Sequence, residues 1–457
     1  MILWIPSPSL HALAVSSGLL LYVITTRANR EIRAPTASIA WVLSIALLPY
    51  FAVPLYFLFG RRKLARPLRH HFARDTEVHW AATMIAAFGL PPPSPARVRF
   101  HANGVDALGA LYAIIENAQT TLDISTFLLG PDVVGAEISR RIVATHDRGV
   151  SVRVLVDGAG IVLKGRRSLH ALRTAGVAVR TFRPILSLRF GNPRNLRNHR
   201  KMAIADRDRL WLGGRNLASE YFTGSAGRPA WVDLSFDLSG PVATAAASQF
   251  EADWNATLKR ADHTGTPVWP IPDAGWQAAG SRVQFVPSGP DQSEDTVLAL
   301  LVAACFRAEH RILAVTPYFV PDVTLLQALR LAVVRGVVVD LVVPASSNHR
   351  LADLARGRAL RALAQAGAHV HLVQEMAHAK SIVFDDSLAF VGSANLDVRS
   401  LLVNYESVML FYDEEHIRWL ASWIMHLAST AQPYHAVEPS LVRDIGEGLL
   451  LALAFQA

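Results

Sequence analysis

Two stretches of the sequence, "NHRKMAIAD" at 198–206 and "AHAKSIVFD" at 377–385, carry the same three polar side chains at the same spacing. We call these side chains the first trio and the second trio: His199, Lys201 and Asp206, and His378, Lys380 and Asp385. The apolar residues after each lysine, "MAIA" and "SIVF", are typical of a buried strand in an α/β domain. A chain that carries such a trio twice is a candidate for internal duplication.

The duplication extends beyond the two trios. Three further pairs of segments match in the same order: "TLDISTFLLGPDVVG" (121–135) with "RILAVTPYFVPDVTL" (311–325), "RGVSVRVLVD" (148–157) with "RGVVVDLVVP" (335–344), and "RTAGVAVRTF" (173–182) with "AQAGAHVHLV" (364–373). An Arg-Gly-Val turn before a strand is common in βαβ proteins, but four matched segments in one order favour duplication. We predict α/β halves at 99–263 and 282–432, joined by a linker at 264–281 that contains proline and glycine.

The duplication predicts that both trios line one pocket. Duplicated halves usually pair about a pseudo-twofold axis, which brings equivalent loops together. Alternate residues of a strand share a face, so His199 and Lys201 are expected to point to one side, as are His378 and Lys380. A neutral histidine is a nucleophile and proton carrier near pH 7, and a lysine supplies a compact positive charge. The pocket is therefore expected to act on a phosphate group.

Lysine is scarce in this chain, which makes the trio lysines informative. The 45 basic residues include only five lysines: Lys63, Lys164, Lys201, Lys259 and Lys380. Arginine fills almost every general cationic position, so an interpretation of the trio lysines as ordinary surface charges leaves their identity unexplained.

Short hydrogen-bonding side chains follow each trio. Asn216 in "GGRN" follows the first histidine at the same interval as Asn395 in "GSAN" follows the second, and Ser393 stands two positions before Asn395. Such groups can bind a developing anionic oxygen.

Two acidic residues, Asp233 in "WVDLS" and Glu406 in "NYESV", are candidates for orienting the histidines, since a carboxylate fixes the tautomer of an imidazole. The stretch from the first trio histidine to Asp233 is longer than the stretch from the second trio histidine to Glu406. The first copy also has Gly214 where the second has Ser393. The copies therefore differ around these carboxylates.

Residues 1–60 are predicted to form a membrane anchor. Neither Met1–Thr26 nor Thr36–Gly60 contains Asp, Glu, Lys or Arg, and both reach the length of about 20 residues that crosses hydrocarbon. We predict two transmembrane helices joined by the turn "RANREIRAP", the second kinked at Pro49 and Pro54. A cleaved signal peptide is the competing interpretation of the first stretch, which lacks a basic start and a small-residue cleavage site.

The net charge of +8 is located in the part of the chain that is predicted to lie in or next to the membrane. Residues 1–74 hold nine Arg or Lys and one acidic residue, so the remainder is neutral. The basic cluster in the predicted linker at 61–98 suits anionic headgroups, at about 1 kcal/mol per residue. It favours a cytoplasmic catalytic portion at the inner membrane, whereas the three arginines of the turn argue the opposite. A neutral catalytic portion argues against a nucleic-acid partner, since binding a polymer of phosphates requires a basic groove.

Two smaller features of the sequence are its single cysteine and its apolar tail. Cys305 is the only cysteine, so no intrachain disulfide can form. The tail at 433–457 contains "LLLALAFQA", which is too short to cross a membrane and is expected to pack or to lie at the interface.

These residues resemble the phospholipase D superfamily, whose double HxKxxxxD motif both trios reproduce, and in particular the bacterial cardiolipin synthases. The segments "RAPTASIAW", "LLPYFAVPLYFLFGRRK", "TPYFVPD", "GGRNLASEY" and "GSANLDVRSLLVNYE" are similar to that family. The resemblance implies two duplicated α/β/α halves related by pseudo-twofold symmetry, with an amino-terminal two-helix transmembrane hairpin.

The resemblance also implies the chemistry. Both histidines face one phosphodiester: His199 attacks phosphorus to form a phosphatidyl-histidine, and His378 protonates the departing alcohol and later takes the proton back. No metal or other cofactor is implied. Asp206 and Asp385 complete the motif of candidate catalytic residues, although their apolar surroundings favour structural hydrogen bonding. The residues implied to bind the phosphate oxygens are Lys201, Lys380, Asn216 and Asn395, assisted by Ser393.

The function predicted from the resemblance is transfer of a phosphatidyl group between two phosphatidylglycerols, giving cardiolipin and glycerol. Water as acceptor makes the protein a phospholipase D hydrolase, and phosphatidylethanolamine is another possible acceptor. The segment "HLVQEMA" before His378 looks shortened relative to the family, so the acceptor stays open. A phosphodiesterase acting on nucleic acid is disfavoured by the neutral catalytic portion. A lipid-binding protein with a vestigial pocket is disfavoured by the intact residues in both copies.

Overall fold

Among the described residues, 15 strands form one mixed sheet and two short strands form a second, and helices cover the larger sheet. The computed structural model describes residues 7–29, 35–60, 62–64, 79–184, 195–225, 227–258 and 281–454. The strands are β1 (Ser94–His101), β2 (Thr121–Thr126), β3 (Ser151–Asp157), β4 (Ala178–Phe182), β5 (Met202–Ala205), β6 (Arg209–Gly213), β7 (Ser235–Ser239), β8 (Ser281–Ser288), β9 (Arg311–Val315), β10 (Phe319–Val320), β11 (Val338–Pro344), β12 (His369–Val373), β13 (Ser381–Phe384), β14 (Leu388–Gly392), β15 (Leu396–Asp397), β16 (Glu406–Phe411) and β17 (Gln432–Pro433).

The helices lie before, between and after these strands. They are α1 (Pro8–Asn29), α2 (Pro35–Leu47), α3 (Pro49–Phe59), α4 (Trp80–Ala87), α5 (Gly104–Glu116), α6 (Val133–Asp147), α7 (Gly158–Gly160), α8 (Arg166–Thr174), α9 (Pro241–Asn255), α10 (Thr296–Arg307), α11 (Val323–Val334), α12 (Arg350–Ala355), α13 (Gly357–Gln365), α14 (Val398–Leu402), α15 (Glu414–Ser429) and α16 (Leu441–Ala454). A π-helical turn at Ile161–Gly165 joins α7 to α8, and a 3₁₀ turn covers Ser219–Tyr221.

The order of the strands repeats itself about the middle of the sheet. β1 and β8 pair antiparallel at the centre, with Ser94 opposite Val283 and Ala96 opposite Ser281. Outward from β1 the order is β7, β6, β5, β2, β3 and β4, and outward from β8 it is β16, β14, β13, β9, β11 and β12, with the short β17 added beyond β12. The two runs correspond strand for strand, so the predicted α/β fold of two duplicated halves is confirmed. β1 begins at Ser94, inside the segment that was predicted to be a linker.

Alternate residues of the strands face different cores, which gives each half its layers. In β5, Met202 and Ile204 belong to a core shared by both halves, whereas Ala203 and Ala205 belong to a core of the first half. α9 and α15 cover the shared core. α5, α6 and α8 cover the other face of the first half, and α10, α11 and α13 cover that of the second. Each half is therefore an α/β/α sandwich.

The second apolar stretch at the amino terminus forms two helices, not one. The chain is broken at Leu48, whose backbone has φ −137° and ψ 57°. Pro49 follows, and a proline disfavours helical backbone at the residue before it and lacks the N–H of a helical bond. The second helix was predicted to kink at Pro49 and Pro54; instead it is interrupted before Pro49, and Pro54 lies within α3.

Among the described residues, only α1 is long and apolar enough to cross a membrane, with a mean hydropathy of 1.5 over Pro8–Arg27. Its Tyr22 packs with Trp41 and Tyr56 of the next two helices in a small core. The turn predicted between the first two helices falls largely on 30–34, outside the described residues. The structure therefore supports one spanning helix by length.

Part of the basic cluster at 61–74 binds the second half of the protein. Arg62 Nη1 and Lys63 Nζ lie 2.8 and 2.9 Å from the carboxylate of Asp295. Lys63 also donates to two backbone carbonyls of that half. The prediction that the cluster serves lipid headgroups is therefore wrong for these two residues, because their charges are used in ion pairs. The other basic residues of the cluster lie outside the described part of the chain.

Candidate active site

The segments that carry the two trios cross the junction between the halves. The N–H of His199 donates to the carbonyl of Tyr405 at 2.9 Å, and the N–H of His378 donates to the carbonyl of Val232 at 2.7 Å. Each histidine is thus held by the backbone of the opposite half. β5 and β13 begin one residue after the trio lysines. The prediction that the histidines lie within these strands is wrong, because their backbone bonds to the other half instead of a neighbouring strand.

Each imidazole is bonded to a carboxylate of the opposite half. Nδ1 of His199 lies 2.9 and 3.1 Å from the two carboxylate oxygens of Glu406. Nδ1 of His378 lies 2.7 Å from Oδ2 of Asp233. A carboxylate accepts the Nδ1–H bond, which leaves the lone pair of Nε2 available to attack an electrophile or to take a proton. The structure thus joins four of the predicted site residues in crossed pairs, which the spacing within each copy did not indicate.

Asp233 and Glu406 occupy equivalent positions in the sheet. Asp233 stands two residues before the strand partner of Gly213, and Glu406 stands two residues before the strand partner of Gly392. The loop that precedes the carboxylate is longer in the first half. The unequal spacing to the histidines therefore comes from this loop and not from a different place in the fold.

Both trio lysines are buried beside the histidines. Nζ of Lys201 donates to the carbonyl of His199 at 2.7 Å, and Nζ of Lys380 lies 3.1 Å from Nε2 of His378. Burial lowers the pKa of Lys201 to about 7 and that of Lys380 to about 8, against the opposing effect of nearby carboxylates. An anion bound between these amines would stabilise their protonated forms.

The surroundings keep the imidazoles neutral and the carboxylates charged at neutral pH. Burial, reinforced by Lys380, lowers the pKa of His378 to about 3. Burial also lowers the pKa of His199, although Glu406 opposes it. Burial alone would raise the pKa of Asp233, but Lys380 and His378 outweigh it and lower that pKa to about 2. Neutral imidazoles beside ionised carboxylates are the state that a nucleophile requires.

Ser393 supports one carboxylate, whereas Gly214 makes room for the other. Oγ of Ser393 donates to Oε2 of Glu406 at 2.5 Å. A Cβ on Gly214 would lie 2.2 Å from Oδ1 of Asp233. The serine of the second half therefore has no space in the first. The hydroxyl that was predicted to assist phosphate binding is directed at a carboxylate.

Asn216 and Asn395 each donate a hydrogen bond within the protein through the amide nitrogen. Nδ2 of Asn216 donates to the hydroxyl of Tyr221 at 2.7 Å, and Nδ2 of Asn395 donates to Asp397 at 3.0 Å. Oδ1 of each amide is buried without a partner among the described residues. If the Asn216 amide is rotated by about 180°, its Oδ1 accepts a hydrogen bond from the tyrosine hydroxyl. Its Nδ2 can then donate to a ligand.

The trio aspartates lie apart from the histidines, just beyond the far ends of β5 and β13. The carboxylate of Asp206 accepts bonds from the backbone N–H groups of residues 119–121, and that of Asp385 accepts bonds from residues 309–311. These bonds outweigh burial and lower the pKa of both carboxyls. Both residues have positive φ, 54° and 49°, in the turn after the strand. Their contacts fasten that turn to the start of β2 or β9.

Aromatic residues near the histidines were missed by the sequence analysis. The rings of Tyr221 and Trp231 lie 5.1 and 5.4 Å from that of His378, and Phe127 lies 5.6 Å from His199. Tyr221 and Trp231 belong to the longer loop of the first half. The longer spacing to the carboxylate in the first copy was the signal that could have located them.

Arg200 was also not predicted, although it lies between the histidine and the lysine of the first trio. It is completely buried: Nε donates to the carbonyl of Glu406 at 3.0 Å, Nη1 to Asp253 at 2.5 Å and Nη2 to Asp291 at 3.0 Å. It thereby fastens the first trio to the strand of the opposite carboxylate. The second copy has Ala379 at this position, and that difference was the available signal.

Comparisons with known proteins find relatives over most of the chain. The family model described as "Cardiolipin synthase, PLD-like domain" matches residues 111–254 and 301–428, more than half of the chain. A model described as "Phospholipase D-nuclease N-terminal" matches residues 15–61. Cardiolipin synthase 1 of Bacillus anthracis is 29% identical over 419 residues, which cover 85% of this chain and 82% of that protein. Cardiolipin synthase A of Pseudomonas entomophila is 29% identical over 409 residues, which cover 84% of each.

Two solved structures share the fold. Phosphatidylserine synthase of Haemophilus influenzae superposes with a TM-score of 0.63 at 15% identity, over 80% of this chain and 96% of that one. Polyphosphate kinase from Porphyromonas gingivalis superposes with a TM-score of 0.51 at 13% identity, over 86% of this chain and 57% of that one. At these identities the likeness concerns the fold alone.

Proposed function

The chain belongs to the family of cardiolipin synthases with phospholipase D-like domains, and from this membership we propose that it transfers a phosphatidyl group from one phosphatidylglycerol to another, giving cardiolipin and glycerol. The observation that carries the proposal is the crossed pairing of His199 with Glu406 and of His378 with Asp233. It holds both imidazoles through Nδ1, so that each reacts through Nε2, as a two-step transfer requires. The relatives named cardiolipin synthase support the same substrate class.

In the first step His199 is the nucleophile. The lone pair of its Nε2 attacks the phosphorus of phosphatidylglycerol while the bond between phosphorus and the glycerol oxygen breaks. His378, protonated on Nε2, gives that proton to the departing oxygen, so that glycerol leaves as a neutral alcohol. The products are a phosphatidyl-histidine and glycerol.

In the second step the terminal hydroxyl of another phosphatidylglycerol attacks the same phosphorus. Nε2 of His378 takes the proton of that hydroxyl. The bond between nitrogen and phosphorus breaks, and its electron pair returns to Nε2 of His199. Cardiolipin is released with both histidines in their starting protonation states.

The charges of the pocket support these steps. Lys201 and Lys380 neutralise the phosphate oxygens, and the amides of Asn216 and Asn395 bind them. His378 must gain a proton before it can act as an acid, although its pKa is about 3. A bound phosphodiester anion offsets the lysine charge that depresses this pKa and so raises it in the complex. Proton uptake therefore accompanies substrate binding.

The protein acts at the bacterial inner membrane, with its catalytic portion in the cytoplasm. α1 supports a spanning anchor by its length and composition. α2 and α3, of 13 and 11 residues, are consistent with a second, broken span, since neighbouring helices can satisfy the backbone groups freed at a break. The basic residues at 61–74 favour the cytoplasmic side.

The proposal is tested by incubating the full chain in liposomes with isotopically labelled phosphatidylglycerol. We expect labelled cardiolipin and glycerol in equal amounts from the unaltered chain, and neither from the His199→Ala variant. His435→Ala, at an exposed histidine, is the matched control and should behave as the unaltered chain. Phosphatidic acid as the only product would establish hydrolysis and reject transfer. Added phosphatidylethanolamine tests whether a mixed product forms.

A further inference from the structure

α12 and α16 contact each other, and both helices expose apolar side chains. On α16, Val442, Leu441 and Ile445 are 81%, 76% and 52% exposed. On α12, Leu351 and Leu354 are 58% and 39% exposed. We call these five residues the apolar face. Single exposed apolar residues are normal in proteins, but a group on two adjoining helices indicates a surface for another molecule.

The other side of α16 is fastened to the protein by ion pairs. Nη2 of Arg361 lies 2.5 Å from Glu447, which is completely buried. Nη2 of Arg358 lies 2.9 Å from Asp444. A Cβ on Gly357 would lie 2.5 Å from the carboxylate of Glu447, so α13 approaches α16 closely. Because the polar side is bound in this way, the apolar face is presented outward.

The apolar face lies on the same edge of the sheet as the trio pocket. α12 follows a loop in which Asn348 accepts a 2.6 Å bond from the hydroxyl of Tyr318. β10 begins directly after Tyr318 and pairs with β15, which begins directly after Asn395 of the pocket. α12 contacts β10. The apolar face is therefore connected through β10 and β15 to the segment that carries Asn395.

The charges beside the apolar face point to a lipid surface. Arg350, at the start of α12, is exposed and forms no ion pair with any residue in the described part of the chain. The side chain of Arg443 on α16 is 59% exposed, although its Nε also lies 3.0 Å from Oε1 of the buried Glu447. Cations beside an apolar helix face match a partner whose outside is anionic and whose inside is hydrocarbon. We propose that the apolar face docks on the lipid bilayer and sets the opening of the pocket against the membrane surface. The inference goes beyond the proposed reaction and does not depend on which acceptor is used.

A fluorescent label can report on this face selectively. Cys305 is completely buried, and burial raises the pKa of its thiol to about 12, so it reacts poorly with thiol reagents. Val442→Cys places the label on the apolar face. Val334→Cys is the matched control, because Val334 at the end of α11 is 75% exposed and lies near the start of β11, at the opposite edge of the sheet.

The full chain carrying either label is reconstituted into phosphatidylglycerol vesicles, with and without lipids that bear a nitroxide quencher on the acyl chain. We expect quenching at least about threefold stronger for the Val442→Cys protein, since an interfacial helix buries its apolar face about 5–10 Å deep. Equal quenching of the two labels overturns the proposal. Emission that changes with protein concentration but not with the quencher shows that a second copy covers the face, and overturns it too.

The experiment is separable from the proposed reaction because it requires no turnover. Repeating it in a His199→Ala background should leave the difference in quenching unchanged. A chain that makes no cardiolipin can still pass the test, and a chain that makes cardiolipin can still fail it. Ile445→Glu should reduce the quenching of the label at position 442, and a melting curve confirms that this variant is folded.

Discussion

The first and second halves of the sheet share one order of strands outward from the centre, yet the groups beside their carboxylates differ. The first half contributes Gly214 beside Asp233, where a serine would collide with the carboxylate. The second half contributes Ser393 beside Glu406, where the serine hydroxyl donates to the carboxylate. The strand framework was therefore kept after duplication, whereas each carboxylate and its neighbour differ together. The glycine or serine matches its neighbouring carboxylate through local steric contacts.

The crossed contacts make each half depend on the other. The histidine of the first trio is oriented by Glu406 of the second half, and the histidine of the second trio is oriented by Asp233 of the first half. Arg200 adds a buried connection from the first trio to the backbone of Glu406. Neither half alone therefore contains an oriented histidine.

The largest effect is expected from breaking a crossed pair. Glu406→Gln should lower kcat by up to about 10⁴-fold, because an amide no longer holds the correct tautomer of the imidazole. Asp233→Asn should have an effect of similar size through His378. Single-turnover kinetics with labelled phosphatidylglycerol measures both variants.

A double-mutant cycle distinguishes crossed contacts from independent ones. The variant that combines His199→Ala with Glu406→Gln should lose little beyond His199→Ala alone, because the two residues act as one unit. Fully additive losses would contradict a functional contact across the halves. Melting curves of each variant separate these effects from loss of folding.

A smaller effect is expected from making the first half resemble the second. Gly214→Ser should lower activity about 10- to 100-fold, since overpacking beside a buried carboxylate costs about 1–3 kcal/mol. Gly109→Ser is the matched control, because no atom lies within 4 Å of a Cβ at that position. Activity assays of the two variants under the same conditions test the prediction, and equal activities would show that Asp233 can move without consequence.

The smallest effect is expected from pH. The ratio kcat/KM should fall more steeply as pH rises through about 7 to 8, because Lys201 and then Lys380 lose the protons that bind the phosphate. Lys201→Arg should move the start of this decline to higher pH, since an arginine stays protonated throughout the range. A pH profile of kcat/KM measures both effects. A profile that is level from pH 6 to 9, a window of about one unit on either side of these values, would show that the lysine charges do not limit binding.

Much of the fold could be predicted because the repeat is a local pattern. Apolar strands between helix-like runs, in the same order twice, indicated two α/β halves before any contact was known. The broken second apolar helix was not predicted, although Pro49 was noticed, because the sequence shows that a proline disturbs a helix but not whether the helix bends or ends. The use of Arg62 and Lys63 in ion pairs with Asp295 could not be predicted either, since their partner lies far away in the chain, in the second half.

Within the pocket the residue types could be predicted but not all of their partners. The trios, the asparagines and both carboxylates were found by spacing and by resemblance to a family. Spacing alone did not show which histidine each carboxylate would orient. The hydroxyl of Ser393 was expected at a phosphate and is directed at Glu406 instead.

The sequence by itself determined the duplication, the two trios, the confinement of excess charge to the region 1–74 and the kind of chemistry that histidines and lysines support. These follow from residue type and local period, which do not require knowledge of distant contacts. Only the tertiary structure decided that each histidine is oriented by the other half, that the trio aspartates hold turns apart from the histidines, and that Arg200 is a buried connection. Such facts depend on which backbone groups meet across the sheet, and residues far apart in the chain meet there only after folding.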